Sequence, residues 1–291
     1  MENTKFDYNK AFSRNLGWLS REEQKIISEK VIAIPGMGGV GGYHLHSLIR
    51  LGFKRFKIAD FDEFDVHNFN RQIGAKVSTV GLNKADVMKN IVLDIIPDAE
   101  VDVYEDGVNE ENMEEFLKGV DILVDGLDVY VIKLRIKLFD LALKKGIFVT
   151  TAAPLGMGTS IISFHPDKMN FNEYFNMNCD METEDLLPHF LAGVAPSLIH
   201  TKYLYHKNEI DFKTGRVPSL HCGVISATAA ICSEVVKIVL QRGKLKYAPH
   251  SHHYDFYLHR SKHIWRPFGN RNILQKIIIS IIKKKFQEMS S

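Results

Sequence analysis

Gly36-Met-Gly38-Gly39-Val-Gly41 lies between an apolar run, Val31 to Ile34, and a helix-like stretch from Tyr43 to Leu51. That order commits this part of the chain to a strand, a tight glycine turn and a helix whose free N–H groups point at an anion. Gly36 permits the turn, Gly38 lets backbone approach a phosphate, and Gly41 lets helix and strand pack closely. By itself the loop specifies a dinucleotide site and nothing finer.

The segments behind it keep the same rhythm. Apolar runs at 56–59, 100–104, 122–125 and 148–151 read as strands, and periodic stretches near 83–95, 109–118 and 130–145 as helices. Repeated βα units of this length predict an α/β, Rossmann-like, doubly wound and mainly parallel sheet, with ligands at the carboxyl ends of its strands. Before the first strand, Ser20-Arg-Glu-Glu23 has the spacing of a capping box, so residues 1–30 form an arm and a short helix. Residues 31–165 make up the nucleotide-binding half.

After Ala152-Ala153-Pro154 the rhythm changes, and 166–291 form a second half of one continuous domain. Segment 166–219 is a long polar and aromatic excursion, with short helices near 184–192 and 196–206. An apolar, buried helix follows from Val224 to Arg242. Strand material at 252–258 extends the sheet with antiparallel strands, and 273–286 is an amphipathic tail helix. Thr151 to Gly158 reads either as a small-residue lining for an incoming tail or as a plain strand-to-strand turn.

Composition narrows the partners. With 291 residues, 45% hydrophobic and 25% charged, the chain has enough apolar content for a substantial core. A net charge of +2 provides no global field for nucleic acid, so DNA is not expected, although Arg14, Arg21 and Lys25 can grip phosphates locally. Met1 to Lys10 lacks the apolar core of a signal peptide. No stretch approaches the ~18 uninterrupted apolar residues of a membrane span. The expectation is a cytoplasmic protein with no transmembrane segment.

The polar residues after the loop carry more information. Asp60, at the end of the second strand, has the position of a carboxylate that accepts from ribose hydroxyls. Asp62, Asn68, Arg71, Gln72, Lys84, Asp125 and Asp128 then add amide, guanidinium, ammonium and carboxylate groups. These suit a triphosphate and its metal better than a nicotinamide. In this order they resemble the ThiF/MoeB/HesA superfamily of ubiquitin-activating-enzyme-like adenylyltransferases, well over roughly 12–165 and more loosely at 224–242.

The resemblance implies roles. Gly36, Gly38, Gly39, Gly41, Asp60, Asp62 and Gln72 would hold ATP; Asn68, Arg71 and Lys84 would surround its phosphates; Asp128 would help to hold Mg²⁺. Arg14, on the arm, would reach the ATP site of a neighbouring subunit, which implies a homodimer with shared sites. The substrate would be a carboxylate, most naturally the C-terminus of a ubiquitin-like protein or peptide. A tRNA- or small-molecule-directed activating enzyme is the second reading. An NAD-dependent oxidoreductase explains the loop and Asp60 but leaves Arg71, Lys84 and Asp128 without roles, and a noncatalytic scaffold leaves the whole polar set unexplained.

The chain departs from the family pattern in its cysteines. Many relatives carry two Cys-x-x-Cys zinc pairs, whereas Cys179, Cys222 and Cys232 form none, so no zinc is expected. Cys179 lies where some relatives have a thioester nucleophile, but Asp180 and Glu182 beside it disfavour a thiolate. Cys222 and Cys232 are expected to be packed. His250-Ser-His252-His253 does not read as a metal site, because only alternate strand residues share a face.

Overall fold

The computed structural model describes residues 6–206 and 217–288. Parts of two expected segments, 1–5 of the arm and 207–216 of the excursion, lie outside these, as do 289–291. The chain divides into two compact units, 6–126 with 231–245, and 127–230 with 246–288.

The first unit opens with α1 (Tyr8–Ala11) and α2 (Arg21–Glu29). The capping box at α2 forms as its spacing predicts: Ser20 Oγ accepts from Glu23 N at 3.1 Å, and Glu23 accepts from Ser20 N at 2.8 Å. Then come β1 (Val31–Pro35), α3 (Gly39–Arg50), β2 (Arg55–Ala59), α4 (Lys84–Ile95), β3 (Glu100–Tyr104), α5 (Met113–Phe116) and β4 (Ile122–Val124). The strands pair in parallel in the order β3-β2-β1-β4. Ile32, Ala33, Ile34, Phe56 and Ile58 are buried, as strands covered on both faces must be. β1 is the point where the strand order reverses, and the glycine loop leaves from its carboxyl end.

The expected helix at 109–118 contracts to α5. The Asn109 and Asn112 side chains take over the local N–H groups: Asn109 Oδ1 accepts from Glu111 N and Asn112 N, and Asn112 Oδ1 from Asn109 N, at 2.8–3.1 Å. Asparagine competing with the backbone in this way delays the start of a helix.

The second unit contains α6 (Ile132–Lys144), β5 (Phe148–Leu155), β6 (Gly158–Phe164), α7 (Phe171–Phe175), α8 (Thr183–Val194), α9 (His221–Leu240), β7 (His250–Asp255), β8 (Arg260–Trp265) and α10 (Ile273–Glu288). The last ten residues of α9 are assigned to the first unit. β5 to β8 form an antiparallel meander, the expected antiparallel extension. Of Thr151 to Gly158, the residues up to Leu155 belong to β5 and Gly158 opens β6, so only Gly156 and Met157 close the β5–β6 hairpin. Phe139, Phe164, Phe171 and Phe175 fill the core with edge-on and tilted rings, Phe171 lying 4.9 Å from Phe139 and 4.4 Å from Phe175.

Three expectations in this unit are corrected. The helix expected at 196–206 is a 3₁₀ turn at Ile199–Tyr203, because Pro196 offers no N–H and Leu198 takes a left-handed backbone (φ 51°). The strand expected to reach residue 258 stops at Asp255, whose carboxylate accepts from Leu258 N at 2.9 Å and closes a turn. α9 is not buried all round. Val224, Ala227, Ile231, Val235 and Ile238 form its buried side, while Cys222 and Ile225 are exposed. Among the described residues α9 is also the one helix long and apolar enough, by length and composition, to cross a membrane.

Candidate functional site

The glycine loop is shaped by a near-contact between backbones. Gly36 adopts φ +91°, and a Cβ on Gly41 would fall 1.8 Å from the Gly36 carbonyl oxygen, so no other residue fits there without moving the loop. Gly126, which the sequence reading passed over, makes the same approach: its Cβ would lie 2.5 Å from that oxygen. Its signal in the sequence is its place within Asp125-Gly-Leu-Asp128, two residues after β4.

Asp60 braces the loop. One carboxylate oxygen accepts from Met37 N at 2.6 Å and the other from Asp62 N at 2.9 Å. Burial raises its carboxyl above the usual carboxylate range, against the lowering influence of those two N–H donors and of Lys84. The residue that the sequence assigns to a ribose therefore also links the end of β2 to the glycine turn.

The network continues through Asp62 to Lys84. Lys84 is buried at the first position of α4, its Nζ 2.9 Å from Asp62 Oδ2. Asn83 caps this helix, accepting from Ala85 N and Asp86 N, and its amide donates to the Asp60 carbonyl at 3.3 Å. An asparagine directly before a helix start is a readable cap, although the sequence reading did not use it. A cavity of about 470 Å³ opens beside the ion pair, lined by Asp62, Asp65, Asn68 and Lys84 among others.

Arg71 and Gln72 reach the loop from the following turn. Asn68 organises that turn: its carbonyl accepts from Arg71 N and Gln72 N, and its buried side-chain oxygen accepts from Asp65 N at 3.0 Å. A Cβ on Gly39 would sit 3.7 Å from Arg71 Cγ, and one on Gly38 would sit 3.8 Å from Gln72 Nε2. The Arg71 guanidinium donates to the His67 carbonyl at 3.0 Å and to Asn70 Oδ1 at 2.9 Å. Gln72 Oε1 is buried with no hydrogen-bond partner among the described residues. The first unit thus gathers Gly36, Gly38, Gly39, Gly41, Asp60, Asp62, Asn68, Arg71, Gln72 and Lys84 around one turn.

Two expected site residues stand outside that network. Arg14, on a 3₁₀ turn at Ser13–Asn15, is exposed and makes no described hydrogen bond or ion pair to the group. Asp128 belongs to the second unit and is exposed; its Oδ1 accepts from Tyr130 N at 3.0 Å. A buried arginine that the sequence reading missed holds its backbone. Arg135 Nη2 donates to the Leu127 and Asp128 carbonyls at 2.7 and 3.1 Å, and its guanidinium lies 4.8 Å from the Phe190 ring centre.

The cysteines separate by exposure. Cys232 is buried, and burial pushes its thiol up to about 12, far from a thiolate. Cys179 is half-buried. Cys222, expected to be packed, is instead exposed at the second position of α9. Among the described residues no group of three or more His, Cys, Asp or Glu side chains is placed to hold a metal ion.

The chain as a whole is similar to known proteins. The ThiF family matches residues 12–271. A tRNA threonylcarbamoyladenosine dehydratase of Bacillus subtilis is 36% identical over 126 residues, 43% of this chain and 50% of that protein, so the chain spans only half the length of this relative. Among solved structures, Escherichia coli MccB with AMPCPP and MccA has a TM-score of 0.65 at 18% identity, covering 90% of this chain and 73% of that one. The E. coli tRNA N6-threonylcarbamoyladenosine dehydratase TcdA with AMP has a TM-score of 0.58 at 18% identity, covering 80% and 95%. At these identities the two structures establish a shared fold. With most of its length matched, this chain belongs to the ThiF family.

Proposed function

We propose that this protein is an ATP-dependent adenylyltransferase that activates a carboxylate. The observation that carries the reading is the single network joining glycine loop, Asp60, Asp62 and the buried Lys84, with Arg71 against Gly39. In this reading the loop N–H groups and the N-terminus of α3 receive phosphate, and Asp60 receives the ribose. Arg71 and Lys84 stabilise charge that builds on the α-phosphate oxygens and pyrophosphate as the carboxylate attacks. No general base is required, because the carboxylate is already ionised at neutral pH. The C–O–P bond of an acyl-adenylate forms and pyrophosphate leaves. Nucleotides in the MccB and TcdA structures support the same cofactor class.

On the family resemblance, Asp128 would help to hold Mg²⁺: one of its carboxylate oxygens takes the Tyr130 N–H, and the side chain is exposed. When bound, Mg²⁺ neutralises phosphate charge. Arg135 keeps the Asp128 backbone in place. Arg14 acts across a homodimer, consistent with its exposure and lack of a described partner in its own chain.

A peptide or ubiquitin-like C-terminus is the first candidate for the carboxylate, and the MccA-bound neighbour supports it. A second reading is favoured by a specific observation, the 36% identity to a tRNA threonylcarbamoyladenosine dehydratase. A threonylcarbamoyl group carries a free carboxylate, so the same chemistry applies. Labelled pyrophosphate exchanging into ATP only with peptide, or only with threonylcarbamoylated tRNA, assigns the donor. No exchange with any carboxylate refutes the reading. Comparing Cys179→Ser with Cys222→Ser for a reductant-sensitive adduct shows whether a thioester follows.

A further inference from the structure

α10 has two working sides. Gln275, Ile279 and Lys283, spaced four apart, face α8: Gln275 Nε2 donates to the Ala192 carbonyl at 2.9 Å, Ile279 is buried, and Lys283 pairs with Asp185 at 2.5 Å. Ile273, Ile277 and Ile281 form a second row, 76%, 52% and 51% exposed, with Leu274 beside them at 55%. The inner row already docks the helix, so the outer one is not core. α10 also begins beyond residue 271, where the family match ends.

The outer row ends in positive charge. Lys284 and Lys285 follow Ile281 by one turn, Lys276 flanks the row, and all three are exposed. From 256 to 287 the chain has eight Lys and Arg residues and no Asp or Glu. Since the whole chain is only +2, the remaining residues are net −6. Basic charge is therefore concentrated where aliphatic side chains are bare.

We propose that α10 seats this protein on an anionic lipid surface, with Ile273, Leu274, Ile277 and Ile281 at the acyl boundary and Lys276, Lys284 and Lys285 among the head groups. Charge complementarity selects this occupant. The same helix of a second copy would oppose like charge, and a nucleic acid would answer the lysines but leave four aliphatic side chains in water. An acidic bilayer meets both needs.

Co-sedimentation of the full chain with phosphatidylcholine vesicles, with and without phosphatidylglycerol, tests the proposal. The protein should pellet only with the phosphatidylglycerol vesicles. Ile277→Ser with Ile281→Ser, and separately Lys284→Gln with Lys285→Gln, should each weaken partitioning by about tenfold or more while leaving the melting temperature and ATP binding unchanged. These side chains are exposed, so folding is preserved in at least one variant. Protein left in the supernatant with both lipids overturns the proposal, as does wild-type pelleting by both double variants. Two other results also overturn it: a dimer lost in the isoleucine variant without lipid binding assigns the row to a second copy, and tRNA binding lost in the lysine variant without lipid binding assigns the charge to RNA.

Discussion

Lys84 shows how position alters the meaning of a charge. A lysine opening a helix can also be read as a solvated residue, yet here it is buried and held by Asp62, which is itself half exposed. Removing the ammonium leaves Asp62 free to rehydrate, so the stability loss stays near that of an exposed pair, about 1 kcal/mol. In the proposed adenylation the catalytic loss would be larger, because there the lost charge would face a developing anion. Lys84→Met should therefore lower pyrophosphate exchange by about 10²–10³-fold with only a small drop in urea midpoint. A large drop in midpoint with exchange retained would make Lys84 structural instead. Asp60 was legible from its distance beyond the loop, but its grip on Met37 N was not, since no sequence spacing encodes which backbone N–H a carboxylate will choose.

At the scale of elements, the strand, loop and helix around the glycines were readable because backbone proximity leaves only glycine possible at Gly41. β8 was not. Its residues, Arg260 to Trp265, are mostly exposed on an edge strand and show no apolar alternation. Arg135 was hidden for another reason: one of several charged residues in the amphipathic helix α6 reads as surface, and only the fold turns it towards the Leu127 and Asp128 carbonyls. Lysine cannot reproduce that planar fork. If Asp128 holds Mg²⁺ as proposed, Arg135→Lys should raise the Mg²⁺ concentration needed for half-maximal exchange by about 10-fold, as loss of an outer-shell partner does. An unchanged Mg²⁺ titration would remove Arg135 from the account of that site.

For the whole molecule, two buried histidines set an acid limit. Burial pushes His44 down to about 3; burial first, then His200 and Lys262, pushes His253 down to about 4 from 6.5, against Asp255. The unfolded chain binds more protons between those values and 6.5, so stability is full above about 6.5 and is lost as pH falls through that window. Asp60, whose carboxyl is raised by burial, contributes the opposite slope. Denaturant midpoints at neutral and acidic pH should fall with acidification, and His253→Gln should flatten the fall; a steeper fall in the variant would contradict this origin. The proposed shared site makes a separate prediction. Arg14→Ala and Arg71→Ala, each inactive alone, should regain exchange when mixed, since a mixed dimer rebuilds one intact site. No recovery would place Arg14 outside any shared site.

The central claim is that the groups around the glycine loop of the first unit receive a triphosphate. Titration calorimetry of the full chain with Mg-ATP and with NADH tests it without any knowledge of the substrate. Saturable ATP binding that Arg71→Ala weakens by about tenfold or more, with no NADH uptake, is the expected result. Tight NADH binding with no affinity for Mg-ATP would contradict it.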